Sequence, residues 1–434
     1  MAGMTTAVRC GTLIDGTGAD PIRNATLVLE GNTIVGIDRR GEAPRDAEVL
    51  DASHLTVMPG LIDCHVHLAS WPASVQERLL TPYSLTVARA LDHARQTLEA
   101  GFTTVRDASG TPRGVKMAIE QGFFPGPRLR LAVQAISQTG GHGDSTMPSG
   151  ANIKVPDPEH PNAVVDGIEG VRRVTREVLR AGADQIKVHT SGGVMSPNDE
   201  PGATGFSPEE IAAIVYEARA AGKTVMAHAQ ANQGIKNAVY GGIDSIEHGI
   251  YLDEEVVEAM VQRGTYLVPT LVAPLWVMRR AEKDPASVPP YALRKAKEVV
   301  ADHQASFRLA IDKGVKIAMG TDTGVGPHGT NAEELQRMLE AGLSAMQVIV
   351  ATTQTAAECA RVGHLTGTLE VGKRADVLGV DGDPLADISV LQHAQRLALI
   401  MRDGVAFRVP GSAFRVDAAP ATRDAEPAHA PTAA

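Results

Sequence analysis

The feature that most constrains the fold of this chain is a repeated alternation of short strand-like segments with longer helical ones. Eight segments rich in apolar and β-branched residues follow one another: LTVMPGLIDCHVH, FTTVRDAS, RLRLAVQAIS, DQIKVHTS, KTVMAHAQ, IDSIEHG, TYLVPTL and VKIAMGTD. Apolar residues recur at helical spacing between most of them, as in residues 84–100, 167–181, 207–221 and 254–263. A strand followed by a helix, repeated eight times, predicts an α/β fold of the (β/α)8 TIM-like barrel type.

Helix-start signals support several of the helical segments. In the third of those named above, Ser207 is placed to cap a helix, and Pro208 suits its first turn. Glu209 and Glu210 follow, and acidic side chains are favourable near the positive end of a helix dipole. We therefore expect a helix to begin directly after Ser207.

The two ends of the chain depart from this alternation. Residues 1–57 and residues 365–415 contain short strand-like runs separated by Gly and Asn turns. We expect the two ends to pair into one small β-sandwich domain beside a barrel of residues 58–364. Residues 416–434 have too little apolar surface to offset the entropy of ordering, which predicts a disordered tail.

Composition narrows the range of partners. A chain of 434 residues can bury a large core. Its net charge is -10, and it has no dense Lys/Arg tract interleaved with aromatic residues. Both features argue against nucleic-acid binding. No secretory signal and no apolar run of membrane-spanning length is present, so we expect a cytoplasmic protein with no membrane partner. Cys10, Cys64 and Cys359 are far apart and odd in number, which argues against a disulfide framework.

Residues that can bind metals stand at the carboxyl ends of five predicted strands. They are His65, His67, Lys187, His228, His248 and Asp322. This is the end of the strands at which barrels of this type hold their active sites. Taken singly, a buried His is more often a core side chain than a ligand, and an Asp at a strand end often caps the next segment. The coincidence of all six at strand ends that a barrel brings together predicts a metal site.

The two histidines of the first strand are separated by one residue. The strand period of two therefore aims His65 and His67 to the same side, into the barrel mouth. Cys64 and Val66 are then expected to face the helices.

The order of these residues resembles the amidohydrolase superfamily with a binuclear metal centre. The similarity lies in H-x-H on the first strand, Lys on the fourth, His on the fifth and sixth, and Asp on the eighth, and it extends over roughly residues 5–410. The lead-in PGLIDCHVHL and the split β domain resemble this superfamily as well. The segments SQTGGHGD and KVHTSGGVMSPNDEPG resemble a narrower branch, which contains Xaa-Pro dipeptidases (prolidases), Xaa-Arg/Lys carboxypeptidase-like enzymes and ochratoxin-cleaving amidases.

The resemblance implies two divalent metal ions, and we expect zinc because neutral imidazole and carboxylate oxygen suit it. By resemblance, the more buried ion is assigned to His65, His67 and Asp322, and the more exposed ion to His228 and His248. Manganese and cobalt would also satisfy these donor types.

Lys187 is the ligand that the resemblance places between the two ions. A lysine can act as an anionic bridge only after reaction with carbon dioxide to form a carbamate. That reaction needs a neutral amine, and an apolar strand environment favours the neutral form by lowering the pKa of the lysine.

The implied chemistry is hydrolysis of an amide by hydroxide that the two metal ions activate. Asp322 is the candidate base that takes the proton and returns it to the leaving nitrogen. His142, in the glycine-rich GGHGD loop, is a candidate catalytic residue for oxyanion stabilisation and a candidate substrate-binding residue; an incidental His in a flexible turn is the alternative. The expected substrates are small molecules: dipeptides or N-acyl amino acids, such as Xaa-Pro or ochratoxin-like amides.

Further substrate contacts are less closely defined by the sequence. Gln230 and Arg106 are candidates for binding a substrate carboxylate or amide, although Arg106 could equally pair with an acidic residue. His189 shares the orientation of Lys187 and would contact either the substrate or the other site residues. Trp276 and Met278 would form an apolar wall of the pocket or pack between helices.

Two other functions stay open at this point. One is a superfamily hydrolase that acts on a cyclic amide, carbamate or heterocycle, as an imidazolonepropionase-like enzyme would. The other is a non-catalytic barrel that serves as a binding module, although such a protein would be expected to lose ligands that are all present here. We also expect a homo-oligomer, as is common for acidic barrels of this size.

Overall fold

The structure is a computed structural model that describes residues 5–154, 157 and 159–415. The predicted disordered tail, residues 416–434, lies outside the described residues. Within the described ranges, no helix combines the length and the apolar character that crossing a membrane requires.

The amino-terminal residues form a group of short strands. These are β1 (Thr5–Leu13), β2 (Ile22–Arg23), β3 (Thr26–Glu30), β4 (Thr33–Asp38) and β5 (Glu48–Pro59). The two-residue turn between β3 and β4 is Gly31-Asn32, and Gly31 has a φ of +58°, which glycine adopts without steric cost. The predicted Gly and Asn turn is thus confirmed at this hairpin.

The central part of the chain contains parallel strands. These are β6 (Leu61–Val66), β7 (Phe102–Asp107), β8 (Arg128–Leu131), β9 (Ala135–Ile136), β10 (Ile186–His189), β11 (Val225–Ala229), β12 (Ser245–His248), β13 (Tyr266–Val268) and β14 (Lys316–Ile317). They form two parallel sheets, one ordered β6-β7-β8 and the other β14-β13-β12-β11-β10-β9. The predicted third strand, RLRLAVQAIS, is interrupted between β8 and β9, where Val133 has a φ of +61°.

Backbone hydrogen bonds link the two parallel sheets at both of their edges. At one edge, Cys64 N donates to Met319 O at 2.9 Å, and Asp322 N donates to His65 O at 2.7 Å. At the other edge, Asp184 N donates to Leu131 O at 2.7 Å. The carboxyl end of β6 is therefore held beside the segment that carries Asp322.

Helices follow most of the parallel strands. They are α1 (Val75–Leu80), α2 (Tyr83–Glu99), α3 (Arg113–Glu120), α4 (Ile168–Arg180), α5 (Pro208–Ala220), α6 (Asn232–Gly241), α7 (Glu254–Arg263), α8 (Val272–Lys283), α9 (Pro290–Asp312), α10 (Glu333–Glu340), α11 (Ala345–Thr352) and α12 (Gln354–Cys359). Helices α2, α4, α5 and α7 confirm the four helical segments named from the sequence. The expected start after Ser207 is also confirmed, because the Ser207 side chain caps α5 in a reciprocal pair with Glu210.

The carboxy-terminal residues return to the amino-terminal strands. They form β15 (Val377–Val380), β16 (Leu397–Arg402) and β17 (Val405–Arg408). Strand β15 pairs antiparallel with β5, so strands from both chain ends share one mixed sheet, ordered β17-β16-β15-β5-β1-β3-β4 with β2 beside β1. The expected pairing of the two chain ends is confirmed by this sheet.

Alternation along the parallel strands separates core side chains from site side chains. In β10, Ile186 and Val188 are buried in the main hydrophobic core, so Lys187 points to the other side of the strand. In β6, Cys64 packs with Ala356 of α12 and Val66 lies in the main core, as expected from the sequence.

Candidate active site

Side chains from β6, from β10 and from the segment after β14 meet on the inner side of the parallel strands. His65 Nε2 lies 3.3 Å from Lys187 Nζ and 3.6 Å from Asp322 Oδ1. His67 Nε2 lies 3.3 Å from the same Asp322 oxygen. His65, His248 and Asp322 each offer a ligand atom, and these atoms all lie within 4.8 Å of one another. The structure thus brings residues of the predicted metal site together.

Two of these imidazoles are oriented by a hydrogen bond from their Nδ1 atom. His65 Nδ1 donates to Glu247 Oε2 at 2.7 Å, and His67 Nδ1 donates to the carbonyl oxygen of Ser109 at 2.9 Å. Each ring therefore presents its Nε2 atom toward Asp322. Fixing one ring nitrogen in this way sets the tautomer and the direction of the other, as in the histidines of metal sites.

The remaining two imidazoles follow the same principle. His248 Nδ1 is 2.7 Å from Thr270 Oγ1, which leaves Nε2 available. His228 Nε2 is 3.0 Å from the carbonyl oxygen of Gly192, so His228 presents Nδ1 instead. Four imidazole groups, one carboxylate and one lysine fit the donor set that divalent metal ions such as zinc take. The chemistry of the residues present is therefore compatible with a metal centre.

A buried ion pair lies directly behind His65. Glu247 is fully buried in β12, and its Oε1 accepts from Arg106 Nη2 at 2.8 Å and from Ser245 Oγ at 2.6 Å. Burial alone would raise the pKa of Glu247, but Arg106 and His65 bring it down to about 2. Glu247 is therefore a carboxylate that orients His65.

Arg106 was a candidate for substrate binding, and the structure gives that prediction no support. Its Nε donates to the Cys64 carbonyl at 2.7 Å, and its Nη1 and Nη2 donate to Ser245 and Glu247. The side chain is 3 % exposed, so the whole guanidinium is used inside the protein. The alternative that the sequence left open, pairing with an acidic residue, is the one observed.

Glu247 is a residue of this site that was not predicted from the sequence. It stands in SIEHG, one residue before His248, and an ionised acid inside an apolar strand is costly unless it is paired. That cost was a usable signal for a role in orienting other groups.

Lys187 is 2 % exposed and sits among the site histidines. Burial lowers its pKa from the ordinary 10.5 to about 8, against the opposing effects of Glu247 and Asp322. About a tenth of the amine is therefore neutral at pH 7, far more than for a lysine with the ordinary pKa, and the neutral form is the one that reacts with carbon dioxide.

Asp322 and His248 both adopt left-handed backbone conformations. Their φ angles are +63° and +73°, which are uncommon for residues other than glycine. Such strain persists where the surrounding structure fixes the backbone, and it is concentrated at functional sites. Although burial opposes ionisation of Asp322, its hydrogen bond to His67 and the nearby His65 hold its pKa well below the usual range.

His142 lies against the histidines of β10 and β11. Its ring stacks on His228 with centroids 4.1 Å apart, and His189 approaches both rings edge-on, at 5.1 Å from His142 and 5.4 Å from His228. His142 Nδ1 is 2.8 Å from Ser196 Oγ, so the ring is held rather than free to turn. The glycine-rich loop therefore brings His142 to the imidazole cluster.

Gln230 follows His228 at the end of β11 and is 5 % exposed. Its backbone N–H donates to Ser191 Oγ at 2.7 Å, but its side-chain Oε1 is buried without a hydrogen-bond partner among the described residues. A buried carbonyl oxygen of this kind is costly, and a donor on a bound ligand would satisfy it. The position is compatible with the predicted role in substrate binding.

The two residues of the expected apolar wall, Trp276 and Met278, lie in different surroundings. Trp276 is 6 % exposed, packs against Gly326 and donates from Nε1 to Glu333 at 3.0 Å, so it serves helix packing. Met278 is partly buried against an apolar cluster that includes Val194. Met278 thus remains a candidate for contact with the substrate.

Comparisons with known proteins agree with this site. Residues 56–406 match the amidohydrolase family. Ochratoxinase from Aspergillus niger is 34% identical over 425 residues, which cover 94% of this chain and 87% of that protein. A solved Xaa-Pro dipeptidase with bound methionine is 35% identical with a TM-score of 0.86, covering 93% of this chain and 100% of the other. A prolidase complexed with N-methylphosphonate-L-proline is 34% identical with a TM-score of 0.86, covering 94% of this chain and 100% of the other.

A parallel α/β fold that gathers imidazole, carboxylate and amine groups at its strand ends defines a hydrolase of a typically metal-dependent class. This chain belongs to the amidohydrolase family, and it is an enzyme that hydrolyses amide bonds. The predicted resemblance to the branch with prolidases and ochratoxin-cleaving amidases is confirmed. The alternative of a non-catalytic binding module is not supported.

Proposed function

We propose that this enzyme uses a binuclear metal centre to cleave the peptide-type bond of dipeptides or N-acyl amino acids, such as Xaa-Pro or ochratoxin-like amides. The observation that carries the proposal is that Lys187 Nζ and Asp322 Oδ1 lie 3.3 Å and 3.6 Å from His65 Nε2. The proposed ligands are His65, His67, Lys187, His228, His248 and Asp322.

The proposal includes an architecture that places these ligands. We propose that the two parallel sheets close into a (β/α)8 barrel over residues 58–364, which the hydrogen bonds at both of their edges support. Residues 1–57 and 365–415 then form the accompanying β domain. That this β domain folds as a sandwich stays a prediction. A homo-oligomeric state and a cytoplasmic location of the whole protein stay predictions as well.

Two zinc ions in this site would supply Lewis acidity, which lowers the pKa of a bound water and polarises an amide carbonyl. Lys187 is the residue that would carry carbon dioxide as a carbamate, since its lowered pKa of about 8 favours the neutral amine that reacts. The oriented nitrogens of the four ligand histidines support the same assignment.

Proton transfer in this proposal belongs to Asp322. Its pKa lies well below the usual range, so the carboxylate is ionised at neutral pH and can accept a proton from the attacking water. The same carboxyl group then returns the proton to the leaving nitrogen. The backbone N–H of Asp322 donates to His65 O, which holds the carboxylate beside β6.

His142 is proposed to act on the substrate carbonyl. Because Nδ1 is engaged by Ser196, the opposite ring nitrogen, Nε2, is the atom left to meet the carbonyl oxygen as negative charge develops on it. Gln230 is proposed to contact the amide or carboxylate of the substrate through its unpartnered side-chain oxygen or its amide nitrogen. Both residues flank His228.

Apolar side chains near the ligands favour a substrate with an apolar group. Met195, Tyr251 and Val325 are partly buried against one hydrophobic cluster, and Met278 joins the same cluster. Tyr251 and Val325 each stand three residues after a proposed ligand. A proline ring, an apolar side chain or an aromatic acyl group would pack against such a surface.

The test is a substrate screen with metal content measured in parallel. Purified enzyme is loaded with zinc, manganese or cobalt and assayed on Xaa-Pro dipeptides, N-acyl amino acids, an ochratoxin-like amide and cyclic amides. We expect turnover of linear amides that is lost on chelation and recovered on metal addition. Full metal occupancy with turnover of cyclic amides or carbamates alone would favour the alternative class of substrate and overturn the proposal.

A further inference from the structure

Lys295 is a fully buried lysine far from the proposed metal ligands in sequence. It lies in α9 and is 1 % exposed. Its Nζ donates to the carbonyl oxygens of Gly193 at 3.2 Å, of Ser196 at 2.9 Å and of Asp199. The three ammonium hydrogens are thus all used by one short segment, residues 192–200, which we call the 192–200 loop.

Asp199 adds a second set of bonds within this loop. Its Oδ1 accepts from Ser196 Oγ and from Gly193 N, and it lies 3.7 Å from Lys295 Nζ. A buried ammonium is costly without partners, so the carbonyls and the carboxylate together account for its presence here. The loop and Lys295 therefore form one connected polar unit.

The 192–200 loop contacts two imidazoles of the site. The carbonyl oxygen of Gly192 accepts from His228 Nε2 at 3.0 Å, and Ser196 Oγ lies 2.8 Å from His142 Nδ1. Gly193 lies directly under the His142 ring, where any added Cβ would collide with it. One loop thus determines the position of both rings of the His142–His228 stack.

The hydrogen bonds also determine which ring nitrogens carry protons. Ser196 has one hydroxyl hydrogen and gives it to Asp199, so Ser196 Oγ accepts from His142 Nδ1. Nε2 is therefore the ring nitrogen of His142 left to face the substrate, and it donates to an oxyanion when both ring nitrogens carry a proton. His228 donates from Nε2 to a carbonyl, so its lone pair is on Nδ1.

We infer that Lys295 and Asp199 are positioning residues that, through the 192–200 loop, hold His228 as a metal ligand and His142 toward the substrate. Lys295 acts on both rings because it fixes the backbone of the loop, including Gly193 next to Gly192. Asp199 acts mainly on His142, through Ser196. This inference rests on the proposed metal centre and goes beyond it by assigning a role to residues that are not ligands.

The first test is the variant Lys295→Met, which keeps the length and apolar stem of the side chain and removes the ammonium. We expect the affinity for zinc, measured by competition with a chelating dye, to fall about 10–100-fold, as for other changes behind metal ligands. Hydrogen exchange of the amides of the 192–200 loop should also become faster. Unchanged zinc affinity and unchanged exchange would overturn the inference.

The matched control is Arg294→Gln, on the adjacent residue of the same helix. Arg294 reaches the same loop through an exposed pair with Glu200 at 2.6 Å, and exposed pairs contribute little to stability. Zinc affinity and loop exchange in this variant should match the wild type. If Arg294→Gln weakens zinc binding as much as Lys295→Met, the effect belongs to helix α9 in general and the inference fails.

A second pair of variants keeps the test decisive if Lys295→Met does not fold. Ser196→Ala and Asp199→Asn leave the lysine and its backbone partners in place. Ser196→Ala should keep wild-type zinc affinity and lower kcat, because His142 loses its partner. Asp199→Asn should lower kcat by a smaller factor, since its amide oxygen still accepts from Ser196 but its charge is lost. Wild-type kcat in Ser196→Ala would refute the role of the loop in holding His142.

The wild-type enzyme separates failure of this inference from failure of the proposed function. If the wild type binds no divalent metal and cleaves no linear amide, the proposed function is wrong. If it does both and the variants match it, only the role of Lys295 and Asp199 is wrong.

Discussion

Glu247 Oε2 lies 2.7 Å from His65 Nδ1, while the other oxygen of the same carboxylate accepts from Arg106 at 2.8 Å. A single carboxylate thus balances a buried guanidinium and directs an imidazole of the proposed metal site. All three side chains are at most 3 % exposed. Stability and metal binding are therefore expected to depend on the same residue.

The variant Glu247→Leu, which offers no hydrogen-bond acceptor, should lose both properties together. Removing one partner of a buried ion pair leaves Arg106 uncompensated, which destabilises proteins by about 3–5 kcal/mol. His65 also loses its acceptor, so zinc affinity should fall about 10–100-fold. Urea unfolding of the metal-free protein and zinc competition measure the two effects separately.

The double variant Glu247→Leu with Arg106→Met is the control for that experiment. It removes the unpaired charge as well, so the unfolding free energy should partly recover while zinc affinity stays low. Recovery of zinc affinity in the double variant would show that His65 is not oriented by Glu247.

Asp322→Asn is expected to separate metal binding from catalysis. The amide keeps an oxygen that can bind a metal, but it cannot accept the proton of the attacking water. We expect metal content close to that of the wild type and a fall in kcat of about 10²–10⁴-fold, the usual contribution of a general base. Metal analysis and steady-state kinetics on the same preparation decide the matter, and retained turnover would contradict the assignment.

Lys187→Ala is expected to lose metal because the bridging ligand is gone. A short carboxylic acid added to the buffer should restore part of the metal content and activity, since its carboxylate replaces the carbamate in the space vacated by the lysine. Metal content with and without added acid provides the measurement. Full zinc occupancy in the variant without any acid would argue against a lysine bridge.

The proposed ligand set could be predicted from the sequence because each member carries a local mark. His65, His228 and His248 are the last or next-to-last residues of apolar strands, and the period of two in a strand decides which of their neighbours face the core. Parallel strands then bring these ends together without further information. That reasoning led to the residues that converge in the structure.

Glu247 and Lys295, by contrast, could not be predicted from the sequence. Their partners lie far away in the chain: Glu247 contacts Arg106, which is 141 residues distant, and Lys295 contacts Ser196, which is 99 residues distant. Nothing local in β12 or α9 specifies those contacts, because they depend on how non-adjacent strands and a long loop pack. The interruption of the third strand at Val133 is likewise a consequence of packing.

His303 should make stability depend on pH between about 6.5 and 4. The side chain is buried in α9, and its Nε2 donates to the carbonyl oxygens of Pro269 at 2.7 Å and His248 at 3.1 Å. Burial lowers its pKa to about 4, although the two carbonyls act in the opposite direction. In the unfolded chain the same imidazole titrates near 6.5.

Because the folded pKa is the lower one, the unfolded state takes up a proton first as the pH falls below about 6.5. The contribution of His303 to the free energy of unfolding is therefore fully present at pH 7.5. It is lost progressively toward pH 4 and amounts to about 3 kcal/mol in total. The variant His303→Gln keeps an amide donor for the carbonyls and does not titrate. Urea unfolding of both metal-free proteins from pH 7.5 to 4.5 should give curves that converge by about 2–3 kcal/mol as the pH falls. Parallel curves would mean that His303 has a similar pKa in both states, and that its burial does not keep it neutral.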